Sequence, residues 1–525
     1  MSNGEFTVDR LLRRNAAAHP DKLAVIDPAS RVTHSELERT THTLAAALAG
    51  AGIGKGTRVG LVMPNGVQWV QIALALNRIG AVLVPLSTLL APRELVAQLR
   101  TAAVQTLITV EEFRGHRYLD DLCAELGVPQ VDEPLRHREL PALRRIWNPD
   151  RLTAAETVAE EMVDALAHAV TPSDTLAVMF TSGSSGPPKG VVHSHGNALG
   201  AVAVGLHARC IDADTRLYLP MPFFWVGGFG SGVLSALVAG ATLVTEPVPQ
   251  PESTLRLLEA ERVTLFRGWP DQAEALARQR HSVGADLSAL RPGSLEALLP
   301  PDQRGRPGAR AKLFGMTEAF GPYCGYRADT DMPEIAWGSC GRPFAGMEVR
   351  IVDPGTGAPL PAGHIGEIHI RGPHVMRGIC GRSREDVFTA DGYYPTGDLG
   401  HVDDNGFMFY HGRSDDMFKV SGATVYPSEV EAALRTLDAV AAAYVTNVPA
   451  AGIDQVGAAV VCAGPTTRDE LRARARKVLS AFKVPTVWLL LDSDDAVPRK
   501  ATGKIDVRAL RDLLTGAVTA PRRGS

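Results

Sequence analysis

The chain has 525 residues, several times the length of one ordinary domain, and its 45% apolar and 21% charged composition supports a large globular core. Its 54 basic and 58 acidic residues leave a net charge of −4, which excludes a nucleic-acid binder that works by bulk charge. The longest apolar run, residues 233–244, is interrupted by Gly240 and falls short of the ~20 residues of a membrane span.

In chain order, residues 1–110 alternate helix-like stretches (40–48, 69–77) with short apolar runs (59–63, 81–85). That alternation predicts βαβ units and a mainly parallel sheet, and the rhythm continues through 175–181, 241–245 and 263–267. Around 349–352 and 365–371 it gives way to short strands separated by Gly and Pro, which predicts a barrel-like or meandering piece. A second change falls at Gly412-Arg413-Ser414-Asp415-Asp416. Beyond it an amphipathic helix (428–437), strands at 442–448 and 456–462 and a helix at 468–482 suffice for a small separate domain. The six cysteines form no C-x-x-C pair and fit neither a disulfide framework nor a zinc site, so they read as free thiols. With no basic-then-apolar leader at the start, a cytoplasmic location is expected.

The most informative segment is Thr181-Ser182-Gly183-Ser184-Ser185-Gly186-Pro187-Pro188-Lys189-Gly190, which follows the apolar run 176–180. Glycines let backbone N–H groups approach phosphate oxygens, hydroxyls add donors and lysine adds charge, so the segment suits a phosphate cradle. It is not a Walker A loop, whose lysine precedes Ser or Thr; here Gly190 follows. That departure, with no Walker B context, excludes a P-loop kinase. A flexible linker is the bland alternative, but linkers rarely sit flush between two apolar runs.

This segment resembles the signature loop of the adenylate-forming superfamily: acyl-CoA synthetases, luciferases and peptide-synthetase adenylation domains. Four further motifs are similar and come in the family's order. They are Phe314-Gly315-Met316-Thr317-Glu318, Tyr394-Pro395-Thr396-Gly397-Asp398, the hinge-like Gly412 to Lys419, and Pro498-Arg499-Lys500-Ala501-Thr502-Gly503-Lys504. The resemblance runs from about residue 10 to residue 512. It implies an α/β fold with a large N-terminal domain (1–412) of parallel-sheet αβα subdomains and a small β-barrel-like part. A hinge (413–416), a small mobile α+β C-terminal domain (417–515) and a tail (516–525) complete the implied plan.

The resemblance also implies roles. Thr181, Ser182, Gly183, Ser184 and Lys189 would hold the β- and γ-phosphates of ATP. Gly315 would belong to the nucleotide site, Thr317 would donate to the α-phosphate, and Glu318 would hold Mg²⁺, a hard cation that favours oxygen ligands. Asp398 would accept from the ribose diol and Arg413 would reach ribose or phosphate oxygens. Lys504 would be the main catalytic cation, bridging the α-phosphate and the acyl oxygen. Asp415 would be the hinge about which the small domain turns between two half-reactions. Without the resemblance, Asp398 would read as a turn aspartate, Thr317 and Glu318 as helix caps, and Lys504 and Lys419 as surface charges.

Two departures stand out. Pro222-Phe223-Phe224-Trp225 carries tryptophan where the family has a histidine bordering the acyl pocket, so Trp225 implies a bulkier, more apolar wall. The segment between Leu290 and Phe314 is shorter than the family's and carries Gly293 and Ser294 where a substrate-contacting loop is expected. Phe224, Trp225, Gly228, Met316 and Phe320 are the expected acid-pocket residues, and they suit an apolar or aromatic carboxylic acid. The leading expectation is an ATP-dependent acid–CoA ligase using Mg²⁺ and CoA, acting on a small-molecule acid, with no nucleic-acid partner and no membrane span. The alternative keeps adenylation but passes the acyl group to a carrier-protein thiol or an amine, or activates nitrite for diazotisation. An AMP-binding relic without activity is the non-enzyme alternative, and the filled charged positions argue against it.

Overall fold

The computed structural model describes residues 6–129, 134–152, 156–183, 186–413, 418–420, 423–425, 427–450, 453–499 and 505–519. Strands β1 (Leu23–Ile26), β2 (Arg31–Thr33), β3 (Arg58–Val62), β4 (Val82–Pro85) and β5 (Thr106–Thr109) come first. A hairpin of β6 (Glu112–Phe113) and β7 (His116–Arg117) precedes β8 (Arg145–Trp147), and then the long pair β9 (Thr175–Gly183) and β10 (Gly186–Ser194). Next come β11 (Arg216–Tyr218), β12 (Thr242–Val244) and β13 (Leu265–Phe266). After them lie β14 (Phe314–Met316), β15 (Gly321–Gly325), β16 (Arg342–Pro343), β17 (Glu348–Val352), β18 (Gly366–Arg371) and β19 (Gly378–Ile379). Strands β20 (Tyr394–Val402) and β21 (Met408–Arg413) end the larger part. The remainder carries β22 (Phe418–Val420), β23 (Ala423–Val425), β24 (Val440–Ala450), β25 (Ile453–Cys462) and β26 (Val487–Leu491).

Two sheets dominate. One runs β19-β10-β9-β4-β3-β5-β8, parallel from β9 to β8 and closed by antiparallel β10 and β19. The other runs β13-β11-β12-β1-β2 and is parallel except for β2. Their strands are apolar without alternation because both faces are covered: Val59, Leu61, Val62, Leu83 and Val84 are all fully buried. The helix Val67–Arg78 is buried along almost its whole length in the core it shares with both sheets. The expected helix at 40–48 extends over His34–Gly50, because Thr33 and Glu36 close a capping box that starts it six residues earlier. The region expected to meander is the antiparallel sheet β17-β18-β20-β21, with Ile351, Ile368, Ile370 and Met408 inside it.

Beyond residue 413, β24, β25 and β26 form a mixed sheet against the helices Pro427–Leu434, Arg468–Ala475 and Val507–Thr519. The helix expected over 468–482 is a correction: it stops at Ala475, and Ala481–Lys483 is a separate 3₁₀ turn. Pro485 disfavours helical backbone at the residue before it, and the turn has work elsewhere. It sends Phe482 edge-on to Trp225 at 6.4 Å, and it buries Lys483 between two carboxylates. Lys483 Nζ lies 2.6 Å from Glu429 Oε1 and 3.5 Å from Glu94 Oε1, and Ser480 Oγ donates to Glu94 Oε2. Burial alone would lower the lysine's pKa, but the two carboxylates outweigh it and raise it. Glu94 also caps its own helix, Pro92–Thr101, by accepting from the Ala91 N–H at 3.0 Å.

These contacts lead to a paired expectation. Glu94→Gln keeps the cap and leaves Lys483 paired with Glu429, so it should destabilise by about 1–2 kcal/mol while exposing the helix Pro427–Leu434 to proteolysis. Lys483→Met leaves two buried carboxylates facing each other and should destabilise by about 3–5 kcal/mol. Urea unfolding with limited proteolysis distinguishes them; equal behaviour of the two variants would contradict a joint at Glu94.

Candidate functional site

Three pieces of backbone converge beside the larger parallel sheet. The first is the β9–β10 hairpin, in which Thr181 pairs with Lys189 across the register and Gly183 with Gly186. Gly190 is required by packing, since a Cβ there would stand 2.9 Å from Val178 Cγ1 and 3.1 Å from Cys380 Sγ. Thr181 and Lys189 are both half-buried. Ser182 and Gly183 continue β9 to its end, while Ser184 lies outside the described residues.

The second piece is the turn Thr317–Ala319 after β14, on which Glu318 is buried and Thr317 half-buried. Gly315 before it admits no side chain, because a Cβ would meet the Gly321 carbonyl oxygen at 2.1 Å. Phe320 closes the turn in the left-handed region at φ 52°. Its ring is held edge-on by His193 at 4.8 Å and by Phe229 at 6.2 Å. Such a conformation in a bulky residue is strained and persists where surrounding packing imposes it.

Two of the turn's carbonyls, those of Thr317 and Glu318, are held by the hairpin side of the molecule. His193, fully buried, puts Nε2 2.9 Å from the Thr317 carbonyl oxygen, and its Nδ1 accepts from Asn197 Nδ2 at 2.8 Å. That pairing places the ring proton on Nε2. Burial pushes the imidazole pKa down to about 3, and its two hydrogen bonds only partly oppose this. Asn197 also donates to the His374 carbonyl oxygen at 3.3 Å, and the Met376 N–H donates to the Glu318 carbonyl oxygen at 2.8 Å. Residues 374–380 continue into β19, which pairs with Val191 and Val192 of β10. The turn and the hairpin therefore form one rigid unit.

The third piece is β20. Tyr394 Oη donates to Glu318 Oε1 at 3.1 Å, fixing the carboxylate from the far side. Four residues along, Asp398 is buried, its backbone N–H donating to Thr396 Oγ1 at 3.0 Å while Thr396 donates to the Ile368 carbonyl oxygen. Arg413 is the cross-strand partner of Asp398 in the β20–β21 register. The Asp398 charge, after desolvation, raises the pKa of the fully buried Tyr323, whose ring packs on Phe314 at 5.7 Å.

An aromatic wall stands at one side. Trp225 is half-buried and meets Phe224 at 5.4 Å, Trp269 at 6.0 Å and Phe482 at 6.4 Å. Gly228 lets the chain turn tightly there, since a Cβ would overlap the Pro222 carbonyl oxygen at 2.0 Å. Residues Phe229–Leu234 form a π-helical turn, and Gly230 leaves room for Phe320 at 3.1 Å. Phe224 and Phe320 are buried in packing, whereas Trp225 and Met316 keep exposed surface. Lys419 sits exposed on β22, and Lys504 and Asp415 lie outside the described residues.

The motifs gave no role to His193, Asn197 or Glu94, nor to Tyr394, although it opens the segment that ends at Asp398. The signal for the first two was local: His193-Ser194-His195 directly follows an apolar run, and Asn197 stands four residues on, one helical turn away. Ser194 and Asn197 also form the reciprocal cap of the helix His195–Gly205.

Residues 12–380 match the family model described as "AMP-binding enzyme", and residues 429–504 the one described as "AMP-binding enzyme C-terminal domain". A 3-[(3aS,4S,7aS)-7a-methyl-1,5-dioxo-octahydro-1H-inden-4-yl]propanoyl:CoA ligase of Mycobacterium tuberculosis is 33% identical, covering 98% of this chain and 100% of its own. A feruloyl-CoA synthase of Amycolatopsis sp is 32% identical over 94% of this chain and 96% of its own. Among solved structures, an o-succinylbenzoate CoA synthetase of Bacillus subtilis superposes with TM-score 0.78 at 24% identity, covering 96% of this chain and 98% of that one.

Buried neutral histidines make acid the sensitive direction. His193 and His195 are pushed by burial to about 3 and about 4, below the ordinary value near ~6.5. Each contributes stability that is complete above ~6.5 and lost as pH falls toward the folded values, up to about 1.4 kcal/mol per pH unit per proton. Urea unfolding at several pH values between 7.5 and 4.5 should show this slope, and His193→Gln should flatten it by close to one proton. An unchanged slope would contradict the buried, neutral assignment.

Proposed function

The chain belongs to the AMP-binding enzyme family, and from that premise we propose an AMP-forming acid–CoA ligase. An acid carboxylate oxygen attacks the α-phosphorus of ATP, and the bond to pyrophosphate breaks, leaving an acyl-adenylate. The sulfur of CoA, its thiol proton passing to solvent, then attacks the acyl carbon and releases AMP. The observation that carries this reading is the convergence of hairpin, Thr317–Ala319 turn and β20 on one locus, held by His193, Met376 and Tyr394. Phosphoryl chemistry of this kind needs positioning and charge neutralisation more than acid–base catalysis.

In this proposal the Thr181–Lys189 segment, with Ser182, Gly183 and Ser184, takes the terminal phosphates. Thr317 donates to the α-phosphate beside Gly315, and Asp398 accepts from the ribose with Arg413 beside it on the neighbouring strand. Mg²⁺ keeps several waters and takes one or two carboxylates plus substrate phosphates, so a single buried carboxylate held by Tyr394 fits it; Glu318 is that residue. Lys504 supplies the charge that moves with the C-terminal part about Asp415, with the division at 413–416. The curated relatives named above are CoA ligases, which favours CoA over a carrier protein or an amine as acceptor. The first of them is named for a propanoyl group carrying a fused ring, and the half-buried Trp225 with Phe224, Gly228, Met316 and Phe320 suits a ring-bearing acid here.

ATP–pyrophosphate exchange should depend on an added ring-bearing propanoate, and adding CoA should yield the thioester by mass. Lys504→Ala should abolish exchange while leaving thioester formation from supplied acyl-adenylate largely intact. Equal losses in both steps would remove Lys504 from the first, and exchange without thioester would point to a different acceptor.

A further inference from the structure

The C-terminal sheet β24-β25-β26 has two apolar faces, because successive residues of a strand point to opposite sides. Val445, Ala458 and Trp488 point one way and pack with Phe418, Val425 and Leu434. Val448, Ala459 and Val487 point the other way and pack with Ile505, Leu510 and Leu514. The first face is the one turned toward the larger part: β23 lies beside β9, and the helix Pro427–Leu434 beside β10. Lys504 lies outside the described residues, but Ile505 directly after it belongs to the second face, where it bridges Arg499. Arg499 is tied down there in turn, to Asp494 Oδ2 at 2.7 Å and over the Tyr444 ring at 5.9 Å. The residue next to the charge assigned to the first step therefore stands on the side of the sheet away from the phosphate hairpin.

One turn seats the first face on the larger part. Ala481–Lys483 sets Phe482 edge-on to Trp225, and the buried Lys483 reaches Glu429 of its own part and Glu94 of the helix Pro92–Thr101. The two ion pairs differ in kind. Lys483 with Glu429, at 2.6 Å, is internal to the C-terminal part and survives any turning of it. Lys483 with Glu94, at 3.5 Å, and the bond from Ser480 Oγ to Glu94 Oε2 exist only while the two parts are seated together. Release leaves neither partner bare, since Lys483 keeps Glu429 and Glu94 keeps the Ala91 N–H. Glu94 also faces a like charge across the lysine, and its field acts with burial to raise the pKa of Glu429. Breaking a buried pair is severe when it strands a charge. Here no charge is stranded, so the contact can hold the seating and still let go.

We infer that Glu94 is a positioning residue for acyl transfer: through Lys483 and Ser480 it holds the C-terminal part in the seating that turns the Ile505 face away from the phosphate hairpin. This rests on the ligase reading and deepens it, assigning the seating seen here to the attack by CoA and its release to adenylate formation. Glu94 acts through where the C-terminal part stands rather than through contact with a substrate. Phe482 on Trp225 is the second foot of the same turn, so both contacts form and part together.

The two steps are measured apart: pyrophosphate exchange with 3-phenylpropanoate, and thioester formation from supplied 3-phenylpropanoyl-adenylate and CoA. Glu94→Gln should slow thioester formation by roughly 3- to 10-fold, in kcat rather than in KM for CoA, the scale on which losing one charge-assisted contact shifts two nearly balanced states. Exchange should stay level or rise. Ser480→Ala keeps the ion pair and should move the same ratio in the same direction by less. Amide hydrogen exchange without ligands should quicken across Pro427–Leu434 in Glu94→Gln, while the helix Pro92–Thr101 stays protected because its cap is kept. Equal losses in both steps would make Glu94 structural, and a loss confined to pyrophosphate exchange would give the seating to the first step; either overturns the inference. Unchanged hydrogen exchange over Pro427–Leu434 overturns it as well. A wild type inactive in both steps overturns the ligase reading and the assignment of steps with it, while hydrogen exchange still decides whether Glu94 holds the C-terminal part.

Discussion

The hydrogen bond from the His193 ring to the Thr317 carbonyl joins the two halves of the site. The hairpin β9–β10 is anchored in a seven-stranded sheet, and the Thr317–Ala319 turn belongs to a separate three-stranded one. Neither has a reason of its own to stand at a fixed distance from the other. His193 supplies one: it is fully buried, it is held in a single tautomer by Asn197, and it reaches the turn at 2.9 Å. The second link, Met376 to the Glu318 carbonyl, comes from a segment that itself pairs with β10. Two consecutive carbonyls held this way fix the backbone of the turn that carries Thr317 and Glu318. The left-handed Phe320 is affordable only inside this frame.

Charge is distributed on the same plan. Cations that hold the architecture are satisfied by carboxylates of neighbouring elements, as Lys483 is, and this pairing connects the C-terminal part to the helix Pro92–Thr101. Carboxylates of the site are treated differently. Glu318 is steadied on one oxygen by Tyr394, and Asp398 is set into β20 through its own backbone and Thr396.

Much of this was legible in the sequence, for identifiable reasons. Unbroken apolar runs such as Val59 to Val62 announce parallel strands covered on both faces, and the glycine-rich segment after β9 announces a close backbone approach. Thr33-x-x-Glu36 marks a helix start that apolar periodicity alone places six residues too late. The end of the helix at Ala475 was not legible, because it is set by a tertiary contact: Phe482 and Lys483 are drawn toward Trp225 and Glu94, which lie hundreds of residues away. The role of His193 was hidden for a related reason: Asn197 stands one helical turn away in the sequence, but the Thr317 carbonyl that the ring holds lies 124 residues on.

The central claim is that the acid is activated by its own oxygen attacking the α-phosphorus at the joint of turn and hairpin. Oxygen transfer tests this most directly. A ring-bearing acid labelled with ¹⁸O in its reacting carboxylate should, after turnover with ATP and CoA, leave one ¹⁸O atom in AMP and none in pyrophosphate. Label found in phosphate or pyrophosphate, or retained entirely in the product, would contradict the account.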